Sequence, residues 1–207
     1  MKTKTSIAIF CLLTLVISAR SQGFIYDQQS STETIFGGTS FYLTNQIVGQ
    51  SFKPSLNAID FISLQFYDAN PTVVLGATVF VNLWSGSISN STLLSSTTPV
   101  FMPNDFGRGG ASNRGFTNFF FANSVTLTPG ATYFLQPILQ SGDQQWTVLS
   151  AFYFGYAGGS VIYGGVNQPT FDLWFREGVI AVPEPAAICL ALLGSGAWLL
   201  VRRQRRQ

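Results

Sequence analysis

The 207-residue chain carries eleven lysines and arginines, nine aspartates and glutamates, two cysteines and no histidine. Between Gln22 and Val182 only four basic residues stand against eight acidic ones, a net of 4 − 8 = −4, so the basic excess belongs to the chain ends and excludes a nucleic-acid-binding surface in the middle. The missing histidine removes Ser-His-Asp and Cys-His catalysis and His-based metal sites; with Cys11 and Cys189 both in terminal apolar runs, thiol chemistry and disulfides are excluded from the middle as well.

The first residues, MKTKTSIAIFCLLTLVISARSQG, place Lys2 and Lys4 ahead of an apolar stretch and then small residues. This is the pattern of a secretory signal peptide over residues 1–21, cleaved after Ser21 or, less well, after Ala19. Residues 22–45 are rich in Ser, Thr and Gln and read as a loose leader with one edge strand.

Residues 46–180 are long enough for one domain with a sizeable core. Runs rich in β-branched and aromatic residues recur there: IVGQSFK from Ile47, IDFISLQFYD from Ile59, ATVFVNLWS from Ala77, GFTNFFFA from Gly115, SVTLT from Ser124, ATYFLQPILQ from Ala131, QWTVLSAFYF from Gln145 and TFDLWFRE from Thr170. Within them Ile62, Leu64 and Phe66 alternate with Ser63 and Gln65, and Val79, Val81 and Leu83 with Phe80, Asn82 and Trp84, so one face packs and the other is mixed. Turn signals separate the runs, among them AGG from Ala157 and GGVNQP from Gly164. The irregular stretch from Ser95 to Arg114 reads as a surface loop interrupted by a short strand near Val100 to Met102. Many short strands without helices between them predict an all-β fold, an antiparallel β-sandwich of the jelly-roll kind.

No arrangement of catalytic residues stands out in this domain. Two of Asp60, Asp68, Asp105, Asp143, Asp172 and Glu177 would supply a glycoside-hydrolase pair, but they are scattered and mostly at turn positions. Asp68 with Asn70, and Asn104 with Asp105, offer oxygens to a structural Ca2+ without any EF-hand spacing; no cofactor is otherwise implied. Trp84, Trp146, Trp174, Tyr153, Tyr156 and Tyr163 are the aromatics available for stacking on a glycan, and Tyr156 and Tyr163, beside the glycine turns, are the two expected to be exposed. The order of QSF from Gln50, GATYFLQP from Gly130, Trp146, YAGG from Tyr156 and DLWF from Asp172 resembles a β-sandwich module common in anchored bacterial surface proteins. That resemblance implies a closing strand with Asp, an apolar residue and an aromatic, and names no ligand.

The tail reads VPEPAAICLALLGSGAWLLVRRQRRQ from Val182. Residues 186–201 form sixteen uncharged positions, a helix of about 24 Å against a hydrocarbon core of roughly 30 Å, which snorkelling arginines and local thinning accommodate. Arg202, Arg203, Arg205 and Arg206 keep that end in the cytoplasm, with the middle of the chain on the other side. Pro183 and Pro185 hold Glu184 in an extended, accessible backbone. Pro-Glu-Pro, a short apolar helix with Gly194 and Gly196, and a terminal arginine cluster together resemble the PEP-CTERM sorting signal of Gram-negative bacteria. The resemblance implies an exosortase as partner, transient anchoring in the inner membrane, delivery to the cell surface or extracellular matrix, and an association with exopolysaccharide and biofilm. The expected function is that of a non-catalytic exported surface protein. A carbohydrate-binding module and a glycan-active enzyme are the alternatives.

Overall fold

A computed structural model describes residues 23–30, 38–88, 90–108, 115–151 and 156–181, which form thirteen strands and no helix. The signal-peptide reading of residues 1–21 and the apolar helix at 186–201 lie outside the described residues. In chain order the strands are β1 (Gly23–Gln29), β2 (Ser40–Tyr42), β3 (Val48–Phe52), β4 (Ala58–Asp68), β5 (Ala77–Ser85), β6 (Thr92–Ser96), β7 (Val100–Met102), β8 (Phe116–Thr126), β9 (Tyr133–Ser141), β10 (Trp146–Leu149), β11 (Val161–Tyr163), β12 (Val166–Gln168) and β13 (Phe175–Ala181). The chain divides into two units, residues 25–179 and residues 1–24 together with 180–207. The sheets belong to the first, apart from the outer ends of β1 and β13 at residues 23–24 and 180–181.

One sheet of six strands runs β1-β13-β4-β10-β2, with β8 on the other side of β4; the second, of seven, runs β12-β11-β3-β9-β5-β6, with β7 also on β5. Every pairing between strands whose register is resolved is antiparallel. The alternation read from sequence decides which face is buried. Ile62, Leu64 and Phe66 of β4 and Val79, Val81 and Leu83 of β5 enter one core cluster with Phe52, Leu135 and Phe175, all 0% exposed. Burial of each such side chain stabilises the fold by about 1.5–3 kcal/mol before entropy is counted. Since residues from both sheets line that single core, the two sheets form the layers of a sandwich.

Successive strands from β3 to β5, and again from β8 to β10, change sheet at each step. The sheet around β4 is forked: β13 pairs with Phe61 to Leu64, β10 pairs with Phe66 to Asp68, and a bridge from Ser150 to Leu173 joins the two where they diverge.

Four segments differ from the sequence reading. The runs from Gly115 and Ser124 are one eleven-residue strand, β8, in which Phe121 to Ser124 bulge against the single β4 residue Asp60 and absorb the break in register. The leader holds two strands, β1 and β2, each at one end of the six-stranded sheet. β6, β11 and β12 are further strands, with β11 and β12 joined by the two-residue Gly164-Gly165 turn at φ of 60° and 79°. Finally, the closing strand is β13, five residues later than the run starting at Thr170, since Asp172 faces a polar network instead of a ladder partner.

Candidate functional site

Three of the segments quoted for the surface-module resemblance meet at the entry to the closing strand. The Gln50 side chain, buried in β3, donates from Nε2 to Asp172 Oδ1 at 2.8 Å and accepts from the Leu173 backbone N–H at 2.7 Å. The second oxygen of Asp172 accepts from the Tyr156 N–H at 2.6 Å. Burial raises the Asp172 carboxyl pKa, partly offset by the Tyr156 N–H and the Gln50 amide. One glutamine therefore ties the seven-stranded sheet to the start of β13, with both of its amide ends used.

Tyr156 extends the network. Its hydroxyl donates to Gln28 Oε1 at 2.9 Å and accepts from the Lys53 N–H at 3.2 Å, and its ring meets Phe175 edge-on at 5.2 Å. Burial pushes the phenol up, and the charges of Glu177, Asp27 and Asp172 push in the same direction. Three carboxyl groups thus surround one phenol.

Glu177, in the middle of β13, is 0% exposed; among the described residues its carboxyl oxygens make no hydrogen bond of good geometry, and the groups close enough to act on them are the Asp27 carboxyl and the Gln28 backbone N–H. Burial first, and the charge of Asp27 second, raise its pKa to about 8. Asp27 has the opposite fate. Burial alone would raise it, but the N–H groups of Leu56 and Ser55, at 2.9 and 2.7 Å, and the Ser55 hydroxyl hold it below the usual carboxylate range. At neutral pH the pair is one charged and one neutral carboxyl. Next to it Gly178 lets β1 come close: a Cβ there would stand 1.9 Å from the Ile25 carbonyl oxygen.

The aromatics chosen from sequence are distributed differently from expectation. Tyr156 and Tyr163, expected to be exposed beside the glycine turns, each keep part of their surface open but pack against the core, Tyr163 on Phe41 at 5.1 Å. Their rings fill the sandwich because the turns place them at its edge with apolar neighbours on one side. Trp146 and Trp174 are 0% exposed, Tyr153 lies outside the described residues, and Trp84 is half-exposed on the outer face of the seven-stranded sheet.

The four oxygen-bearing residues considered for Ca2+ do meet. Asp68, however, is buried and spends both oxygens on backbone N–H groups, of Asn70 at 2.9 Å and of Asp105 at 2.8 Å. The Asp105 carboxylate pairs with Arg108 Nε at 3.2 Å, and Arg108 also donates to the Asp68 carbonyl and the Tyr67 hydroxyl. A guanidinium occupies the place where a cation would be wanted. Among the described residues no group of three or more His, Cys, Asp or Glu can hold a metal ion. Of the carboxylates weighed as a catalytic pair, the charges of Asp172 and Glu177 both act on Tyr156, while Asp143 accepts from the Gln145 N–H as a turn residue.

The strand that carries Glu177 ends at Ala181, and residues 181–206 match the family described as the PEP-CTERM protein-sorting motif. The chain carries a PEP-CTERM sorting motif. Such a motif is the address of an exported protein that an exosortase processes, with the C-terminus as membrane attachment and the cell surface as destination. No curated protein matches the chain. Val182, Pro183, Glu184, Pro185, Arg202, Arg203, Arg205 and Arg206 all lie within the motif and outside the described residues; no helix among the described residues is long and apolar enough to cross a membrane. Residue 181 is at once the last of β13 and the first of the motif.

Proposed function

We propose that the protein is a non-catalytic structural component of the cell surface or extracellular matrix of a Gram-negative bacterium, produced together with exopolysaccharide and biofilm. Its signal peptide sends residues 22–181 across the inner membrane, and the helix at 186–201 holds it there with the four terminal arginines in the cytoplasm. An exosortase then takes the extended Pro183-Glu184-Pro185 segment and releases the domain. The observation that carries this reading is the PEP-CTERM match at 181–206, joined directly to the closing strand of a folded β-sandwich. The alternation of strands between two sheets supports the jelly-roll form.

A structural role is supported by the way polar groups are used. Asp27, Asp68, Asp143 and Asp172 each accept from backbone N–H groups, and Asp105 is paired with Arg108, so these carboxylates brace loops and strand ends. The test is the mass of the mature protein in cells with and without the exosortase. Cells with the enzyme are expected to yield a chain lacking RRQRRQ, and cells without it a chain that retains it. An intact C-terminus in both overturns the sorting reading, and glycan hydrolysis lost on replacing Asp172 or Glu177 overturns the non-catalytic one.

A further inference from the structure

The seven strands of one sheet contain no Asp, Glu, Lys or Arg at all, whereas β1, β4 and β13 of the other carry Asp27, Asp60, Asp68, Arg176 and Glu177. On the outer face of that charge-free sheet, register places Trp84 opposite Phe134, Asn82 opposite Gln136 and Phe80 opposite Ile138. A row of two aromatic rings, a row of two amides and a row of Phe80 with Ile138 therefore follow one another across β5 and β9, and all six side chains are half-exposed. Trp84 and Phe80 lie four residues apart on one strand, about 13 Å at roughly 3.3 Å per residue. The face is longer than one sugar ring. We propose that this face, centred on Trp84 and Gln136, binds a neutral glycan chain.

Three features favour that ligand over an apolar partner. The Trp84 indole N–H donates to Gln136 Oε1 at 2.9 Å, which fixes the ring across the gap between two strands and leaves the Gln136 amide nitrogen without an acceptor among the described residues. Ser96 likewise donates to Asn82 Oδ1 at 2.6 Å and leaves the Asn82 amide nitrogen without one. A flat apolar partner would bury both amide nitrogens unsatisfied, at a cost of about 1–3 kcal/mol each. A glycan instead offers oxygen acceptors at its rim and C–H faces for the rings. The absence of any charge on the sheet makes an acidic polysaccharide, a nucleic acid or a charged protein surface a poor match. On its β3 flank, beside Gln136, the face is bounded by Ile88, whose side chain lies over Gly49.

The inference deepens the matrix reading, since it gives the exported sandwich something to hold. It does not depend on processing of the tail. The full chain in mild detergent is run in affinity gels containing a neutral glucan, mannan, galactan or xylan, with alginate as the anionic comparison. Retardation by a neutral polysaccharide is expected, with Trp84→Ala and Gln136→Leu each weakening it about tenfold and Tyr42→Ala, an exposed ring on the other sheet, leaving it unchanged. Trp84→Phe keeps a ring and is expected to restore part of the binding, which separates the face from a folding defect. No retardation by any of the four neutral polymers, retardation by alginate alone, retardation indifferent to Trp84 and Gln136, or a dimer abolished by Trp84→Ala would each overturn the proposal. None of these outcomes would touch the sorting reading, which stands or falls on the mature mass.

Discussion

Replacing Glu177 by glutamine keeps the shape of the side chain and removes its titration. In the folded protein the carboxyl titrates at about 8, against 4.5 when unperturbed. The folded state therefore holds the proton more tightly than the unfolded state between those values, and stability falls as pH rises through that window. Full ionisation costs on the order of 5 kcal/mol, of which roughly 3 kcal/mol is lost between pH 5.5 and 8.5. Over the same interval Asp27, whose pKa is lowered, stays ionised in both states, and its contribution is lost only as pH falls through the acidic range. Tyr156, raised above its usual value of 10, stays neutral in both. The assay is denaturant unfolding of the full chain and of Glu177→Gln at several pH values across that interval, followed by tryptophan fluorescence, for which buried Trp146 and Trp174 are natural reporters. The wild-type midpoint is expected to fall steeply with pH and the variant midpoint to stay nearly level. Parallel declines in the two proteins would refute the assignment of the loss to Glu177.

Three shorter expectations follow from the same network and its neighbours. Gln50→Ala strands Asp172 Oδ1 and the Leu173 N–H in a buried setting, and is expected to cost about 2–4 kcal/mol in the same unfolding assay. Tyr156→Phe removes the hydroxyl bonds to Gln28 and Lys53 but keeps the ring on Phe175 and the backbone bond to Asp172, so its cost is smaller, about 1 kcal/mol. With Arg108 seated beside Asp105 and Asp68, removal of Ca2+ by EDTA is expected to leave the thermal midpoint unchanged, and a fall on chelation restored by Ca2+ would show that the guanidinium yields to a metal.

What could be read in the sequence was local. The alternation in IDFISLQFYD and ATVFVNLWS names the inward residues of β4 and β5, and already puts Phe80, Asn82 and Trp84 on one shared face. Asp172 and Gln50 stand in the segments quoted for the module resemblance, but the bond between them joins positions 122 residues apart. The Asp27 and Glu177 pair is further still, one in the Ser/Thr/Gln-rich leader and one in the last strand, and no periodicity in either segment carries that distance. The core contacts of Tyr156 and Tyr163 are illegible for a related reason. Flanking glycines indicate a turn, but which side of a turn faces the core is fixed by the partner sheet. FDLW has the composition of a strand, but the ladder starts only after Asp172 and Leu173 have bonded across to Gln50.

β13 lies between β1 and β4, and its last residue is the first of the sorting motif. A terminal strand held on both sides behaves differently under load from one at a sheet edge. Freeing it means breaking two ladders, the one onto β1 and the one that joins Phe175 to Gly178 with Leu64 to Phe61, where an edge strand would break one. The sorting motif thus begins on the end of a strand that cannot leave without opening the sheet on both sides.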